Sequence, residues 1–312
     1  MFHRKLTAVI ASVEMQATTY LTVEQVLFYH QNGYLVIPGF WNEATICQLK
    51  RKIDSIVQEA DLTAVTSVFT TQDNIRHSDE YFLTSGLEVR FFWEEKARNC
   101  SGEFVQSEKE SINKIGHGLH DLDPDFQTVS YDGRIGSICA ELGLEKPLAV
   151  QSMYIFKQAR IGGLVVPHQD GSFLYTDPQS CLGFWWPLDD CSLENGCLWA
   201  VPGSHKLGVH QRFRRRDHPH EGTEFVPPGP MMQWDVSQAV PLVIPKGSLV
   251  VLHNALVHFS NENHSDAPRH AYSIHVVDGR PGVEYPSDNW LQRPINAPFR
   301  EITARHTDNS SS

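Results

Sequence analysis

The sequence predicts a mainly β fold of the α+β class: a jelly-roll core with flanking N-terminal helices. From Val150 onward, short apolar bursts recur at even spacing, at Val150–Lys157, Gly163–Asp170, Leu182–Leu188, Cys197–Val201, Val240–Ile244, Ser248–His253 and Ala271–Val277. Each has the length and residue types of a strand, and eight or so such strands wrap into two antiparallel sheets. Helical periodicity, by contrast, is clearest near the N-terminus. There is no internal repeat and no apolar run of about 18 residues that could span a membrane.

Taken in order, Thr22 and Gln25 form a capping box that opens a helix through His30, and Asn32-Gly33 is a common helix stop. Tyr34 to Ile37 reads as a strand. A second helix is predicted from Glu43 to Glu59, because Ile46, Leu49, Ile53, Ile56 and Val57 recur at helical spacing behind Asn42 as a cap. Its apolar face should pack on the barrel. Asp61 to Ser107 gives mixed signals, with a turn at Asn99–Gly102. His205 to Pro230 breaks the strand rhythm with Arg212-Phe-Arg-Arg-Arg216 and Pro227-Pro-Gly-Pro230, a long irregular insertion. A solvated loop is the plain reading; the functional one is that its arginines recruit an anionic substrate group such as a coenzyme A phosphate. His218 and His220 lack the paired thiols of a zinc finger.

One domain over residues 21–298 is the simplest division, with an extension at 1–20 and a tail at 299–312. At 312 residues the chain can bury a single large core. A net charge of −11 and a pI near 5.8 argue against nucleic-acid binding and favour a small-molecule substrate. Six cysteines without a C-x-x-C pair fit a reducing compartment. A cytoplasmic monomer is expected. Met1–Val13, basic and then apolar, would act as a mitochondrial transit peptide only if it is a real leader. Met15 stands just before Leu21-Thr22, so the first residues are expected to be a gene-start extension or a disordered tail. The final Asn309-Ser-Ser-Ser312 is not a peroxisomal S-K-L address.

The chemistry concentrates at Pro167-His168-Gln169-Asp170. On an extended strand, residues two apart share a side, so His168 and Asp170 can reach one metal while Gln169 points away. In a chain with 16 histidines such a triplet arises by chance about as often as not. Its companions raise it. A strand at Gly247–His253 leads toward His258, and either His253 or His258 could supply a third ligand; two imidazoles and a carboxylate leave three iron positions open. Arg269, near the start of another strand, could grip the distal carboxylate of 2-oxoglutarate through two parallel hydrogen bonds, and Ser260 could add one more.

Leu21 to about Trp290 resembles the phytanoyl-CoA dioxygenase family, in particular the domain-containing proteins that lack peroxisomal targeting. The blocks that carry the resemblance include Gln31-Asn-Gly-Tyr-Leu-Val-Ile-Pro-Gly-Phe40, Ser111-Ile-Asn-Lys-Ile-Gly-His-Gly-Leu-His120, Val150-Gln-Ser-Met-Tyr-Ile-Phe-Lys157, Val166-Pro-His-Gln-Asp170, Glu194-Asn-Gly-Cys-Leu-Trp199, Pro202-Gly-Ser-His205 and Gly247-Ser-Leu-Val-Val-Leu-His253. The resemblance implies a cupin-like double-stranded β-helix that uses Fe(II), 2-oxoglutarate and dioxygen, with ascorbate as a supporting reductant, and releases succinate and carbon dioxide. It places the iron on His168, Asp170 and His258, deciding against His253. The co-substrate falls to Arg269 and Ser260, with Lys114, Met153 and Trp185 lining its pocket. Without it, Met153 and Trp185 would be core residues and Lys114 a solvated charge. Two other classes remain: a cupin-like metal enzyme that does not use 2-oxoglutarate, and a metal-binding sensor without turnover.

Overall fold

The computed structural model describes residues 19–70, 79–217, 222–230 and 232–304; Met15 with most of the extension, His218, His220 and the end of the tail lie outside them. Near the N-terminus local signals are obeyed. The Gln25 amide donates to the Thr22 hydroxyl and the Thr22 amide to the Gln25 side chain; α1 (Val23–Asn32) then stops where Gly33 turns left-handed at φ 83°. After β1 (Tyr34–Ile37), Asn42 caps α2 (Glu43–Glu59), which buries Ile46, Leu49, Ile53 and Val57. Each such side chain contributes about 1.5–3 kcal/mol of burial.

Within the ambiguous stretch Asp61 to Ser107 lie α3 (Glu80–Leu83) and β2 (Val89–Trp93); β3 (Ile112–His117) and three short helices, α4 (Leu119–Leu122), α5 (Pro124–Ser130) and α6 (Gly133–Glu141), follow it. Then come β4 (Pro147–Ile155), β5 (Val165–His168), β6 (Leu182–Pro187), β7 (Leu198–Ala200), β8 (Arg212–Arg215), β9 (Thr223–Val226), β10 (Val240–Pro241), β11 (Leu249–His253), β12 (His258–Ser260), β13 (Ala271–Asp278) and β14 (Arg300–Glu301). All their ladders are antiparallel, as a jelly roll requires. The large sheet runs β1-β11-β6-β13-β4-β3-β2, with β14 beside β4, and the small sheet runs β10-β7-β12-β5.

Strand alternation divides the core. Phe184 and Trp186 of β6 face outward under α2, where Trp186 stacks on Trp41 with ring centres 4.5 Å apart, next to Tyr272. Trp185 points the other way and packs with Leu198 and Leu252 between the sheets.

Two expectations are corrected. The strand through His168 ends there, and Asp170 opens a 3-10 turn instead, although Gln169 keeps an extended backbone. Arg269, expected near the start of a strand, stands two residues before β13. The segment after His205 is not irregular throughout: β8 and β9 form a hairpin that presents Phe213 to the interior.

Candidate metal centre and adjoining pockets

β5 and β12 lie side by side with His168 opposite His258, so two imidazoles far apart in sequence meet at one rung of the small sheet. Asp170 completes the set. Its Oδ1 is 3.7 Å from Nε2 of His168 and 3.6 Å from Nε2 of His258, and the three donor atoms lie within 4.8 Å of one another. Each ring donates its Nδ1–H to a carbonyl two residues earlier, His168 to Val166 at 2.8 Å and His258 to Leu256 at 3.1 Å. A carbonyl can only accept, so both Nε2 lone pairs face the common centre, the tautomer a metal needs. Two nitrogen donors and one carboxylate oxygen fit Fe(II) with positions to spare.

Gln169 turns away as expected and pins two loops, donating to the carbonyls of Gly208 (2.8 Å) and Ala255 (2.7 Å). His253 is remote from the centre: it packs against Tyr29 and His205 and accepts the Ala255 amide.

Behind Asp170 stands a residue that local sequence patterns did not reveal. His275 on β13 places Nε2 3.1 Å from Asp170 Oδ2, while the Gln151 side-chain amide donates to its Nδ1 at 3.1 Å. This orders a chain Gln151 to His275 to Asp170 across three elements. Gly183 makes room for it, since a Cβ there would sit 2.9 Å from Asp170 Oδ2. Burial acts to raise the pKa of Asp170, but the imidazoles of His258, His275 and His168 hold its carboxyl well below the usual carboxylate range.

A cavity of about 130 Å³ opens beside the three donors, lined among others by Lys114, Met153, Trp185, Ser260, Arg269 and Lys157. All five residues that were expected to touch the co-substrate are therefore gathered there. Arg269 is 2% exposed. Its Nη2 donates to the Gly196 carbonyl at 3.2 Å, whereas Nε and Nη1 find no acceptor among the described residues. The Trp185 ring lies 5.1 Å beneath the guanidinium. Buried donors without acceptors are costly, and a buried guanidinium with donors to spare suits a carboxylate. Lys114 sits 3.8 Å over Phe69 and 3.7 Å from the Met153 sulfur.

A second cavity, of about 150 Å³, shares Phe69, Lys114, Met153, His168, Asp170 and His275 among others with the first; the rest of its wall is rich in aromatics, Phe82, Phe92, Phe173, Phe213 and Trp290, beside Ser67, Thr70, His117 and Gln151. The arginines flanking Phe213 are committed elsewhere. Arg212 and Arg214 pair with Asp288, Arg214 also with Glu224, and Arg215 donates to the carbonyls of Trp290 and Leu83. They fasten the hairpin, so the alternative reading of them, that they recruit a substrate anion, gains no support.

The profile of the family described as "Phytanoyl-CoA dioxygenase (PhyH)" matches residues 29–271. A phytanoyl-CoA dioxygenase of Arabidopsis thaliana is 45% identical over 279 residues, covering 89% of this chain and 96% of its own length. Phytanoyl-CoA dioxygenase domain-containing protein 1 of Bos taurus is 41% identical over 286 residues, covering 89% and 97%. Among solved structures, the non-heme α-ketoglutarate-dependent carbocyclase SnoK shares the fold, with a TM-score of 0.59 at 18% identity, over 92% of this chain and 99% of its own. With the profile match spanning most of the chain and these identities holding over nearly its whole length, the protein belongs to the phytanoyl-CoA dioxygenase family.

Proposed function

We propose that the chain is an Fe(II)- and 2-oxoglutarate-dependent dioxygenase that hydroxylates a small, largely apolar substrate. The observation that carries this reading is the conjunction of two features in one cavity: the His168, Asp170, His258 donor set and the buried, acceptor-less donors of Arg269. An enzyme with no dicarboxylate to hold has no use for the second feature, which disfavours a metal enzyme independent of 2-oxoglutarate. Family membership and the carbocyclase fold are consistent with it.

Residue roles follow from position. His168, Asp170 and His258 would hold the iron, with Nδ1 hydrogen bonds fixing both rings and His275 fixing the carboxylate. Arg269 and Ser260 would bind the far carboxylate of 2-oxoglutarate over Trp185, leaving its keto-acid end toward the metal. Iron so held supplies the oxygen chemistry, in which oxidative decarboxylation to succinate and carbon dioxide is coupled to insertion of one oxygen atom into a C–H bond. The aromatic cavity next to Asp170 would seat the apolar part of the substrate; about 150 Å³ is the size that holds a benzene-sized group. A lipid-derived molecule or an acyl-CoA would enter with only part of its chain inside.

The test is succinate release from 2-oxoglutarate with ferrous iron, run first without a prime substrate. Wild type should turn over slowly, and Asp170→Ala and His258→Ala should be silent while remaining folded. Wild-type-like succinate release by Asp170→Ala would remove the basis of the proposal.

A further inference from the structure

Facing Arg269 in the co-substrate cavity is a second buried cation that the functional reading has not used. Lys157 is 2% exposed and has a left-handed backbone, φ 42°, rare for a residue with a side chain. Its carbonyl accepts both the Arg269 amide (3.1 Å) and the Asn263 side chain (2.9 Å), so the two cations are fixed at one level by direct backbone pairing. Gly196 fits both. A Cβ at that position would fall 2.7 Å from Lys157 Cε, and its carbonyl is the acceptor for Arg269 Nη2.

The hydrogen bonds of the Lys157 ammonium go to neutral oxygens: the Gly163 carbonyl at 2.6 Å and the Ser260 hydroxyl at 2.8 Å. Because Ser260 accepts from Lys157, its one hydroxyl proton is free to point into the cavity. The charged and titratable groups around Lys157 are Arg269, Glu94, Glu262 and Cys197. Of the carboxylates, Glu94 is buried and already accepts from Asn113 (2.8 Å) and the Gly163 amide (3.1 Å), while Glu262 pairs with Lys96. Two adjacent buried cations against one buried carboxylate are an arrangement that costs free energy unless an anion joins them.

Resting on the proposed 2-oxoglutarate reading, we infer that Lys157 is a positioning residue of the co-substrate site, acting through Ser260, and that 2-oxoglutarate binding is coupled to proton uptake by its amine. Burial first, and then the Arg269 charge, bring the Lys157 pKa down to about 7 in the free protein, with Glu94 and Glu262 opposing. A carboxylate arriving between the two cations favours the ammonium and raises it again. Above pH 7 the free amine is increasingly neutral, so binding must take up a proton and affinity must fall as pH rises.

The experiment is calorimetric titration of 2-oxoglutarate into the Mn(II)-loaded protein without oxygen, in two buffers of different ionisation enthalpy, at pH 6, 7 and 8. Wild type should take up most of a proton at pH 8 and little at pH 6, with affinity falling by up to about tenfold per pH unit above 7. Lys157→Met should bind more weakly at pH 6 and lose the pH slope, and Ser260→Ala should weaken binding while keeping the proton uptake. Tight binding by wild type with no proton uptake at pH 8 overturns the inference and leaves the dioxygenase reading standing; absence of any 2-oxoglutarate binding overturns both. The wild-type measurement decides even if Lys157→Met fails to fold.

Discussion

Replacing Arg269 with methionine should separate binding from stability. The guanidinium lies 2% exposed over Trp185, and two of its nitrogens, Nε and Nη1, have no acceptor among the described residues. If those donors take a carboxylate, each charge-assisted hydrogen bond is worth about 1.5–3 kcal/mol, and losing both weakens 2-oxoglutarate by a factor on the order of a hundred to ten thousand. Folding should respond in the opposite sense. Burial disfavours the charged guanidinium and lowers its pKa, with Cys191 and Cys197 acting against that. Methionine of similar length removes this penalty at the loss of one bond to Gly196. The unfolding midpoint of Arg269→Met should therefore equal or exceed that of wild type. Calorimetric titration of 2-oxoglutarate into the Mn(II)-loaded variant, beside a thermal melt, reads both quantities. Binding within about threefold of wild type would refute the role assigned to Arg269, and a weaker affinity accompanied by a collapsed melt would refute the energetic argument.

His275→Phe removes the group that fixes Asp170 and should weaken Fe(II) or Mn(II) binding about 10–100-fold in a chelator competition, with His275→Gln recovering part of it; unchanged metal affinity in both would deny the residue its orienting role. Gly183→Ala places a methyl 2.9 Å from Asp170 Oδ2 and should depress succinate release far more than thermal stability, costing roughly 1–3 kcal/mol of the latter. An active Gly183→Ala enzyme would mean the carboxylate has another resting place. Stability should also fall in acid through His120, whose pKa burial brings from 6.5 to about 4, with Asp121 opposing and Arg293 assisting. The unfolded chain then binds the extra proton first, so this contribution is complete above pH 6.5 and lost as pH drops toward 4, about 3 kcal/mol in all. Urea midpoints across that range should flatten in His120→Gln, and an equal slope in the variant would assign the effect elsewhere.

Legibility in the sequence tracked how local each cause was. The cap on α1, the face of α2 and the apolar bursts of β4 to β7, β10, β11 and β13 depend on neighbours within a turn or a pleat, and they were readable. So was His168-Gln169-Asp170, because side-chain alternation is local. His275, Gln151 and Gly183 became functional only through register, Gln151 opposite His275 on one side and Gly183 on the other, which no local pattern encodes. Lys157 was visible as the end of a strand and invisible as the partner of Arg269. The hairpin at Arg212–Val226 could have been suspected, since Phe213 alternates with arginines, but glycine, proline and charge around it drowned a four-residue signal. Short helices from Leu119 to Glu141 carried legible caps at Asp123 and Asp132 and too few turns to show a periodic face.

The contact from His275 also bears on how many bonds Asp170 could offer a metal. A carboxylate can chelate an ion with both oxygens, and a chelating aspartate beside two imidazoles would take four of six octahedral places, leaving two. Here Oδ2 lies 3.1 Å from His275 Nε2, while Oδ1 faces the two Nε2 atoms of His168 and His258. An ion bound through Oδ1 alone would keep three places for its reactants, two for a bidentate keto acid and one for a diatomic gas. His275, which lines both cavities, would thereby help set what the metal can hold at once.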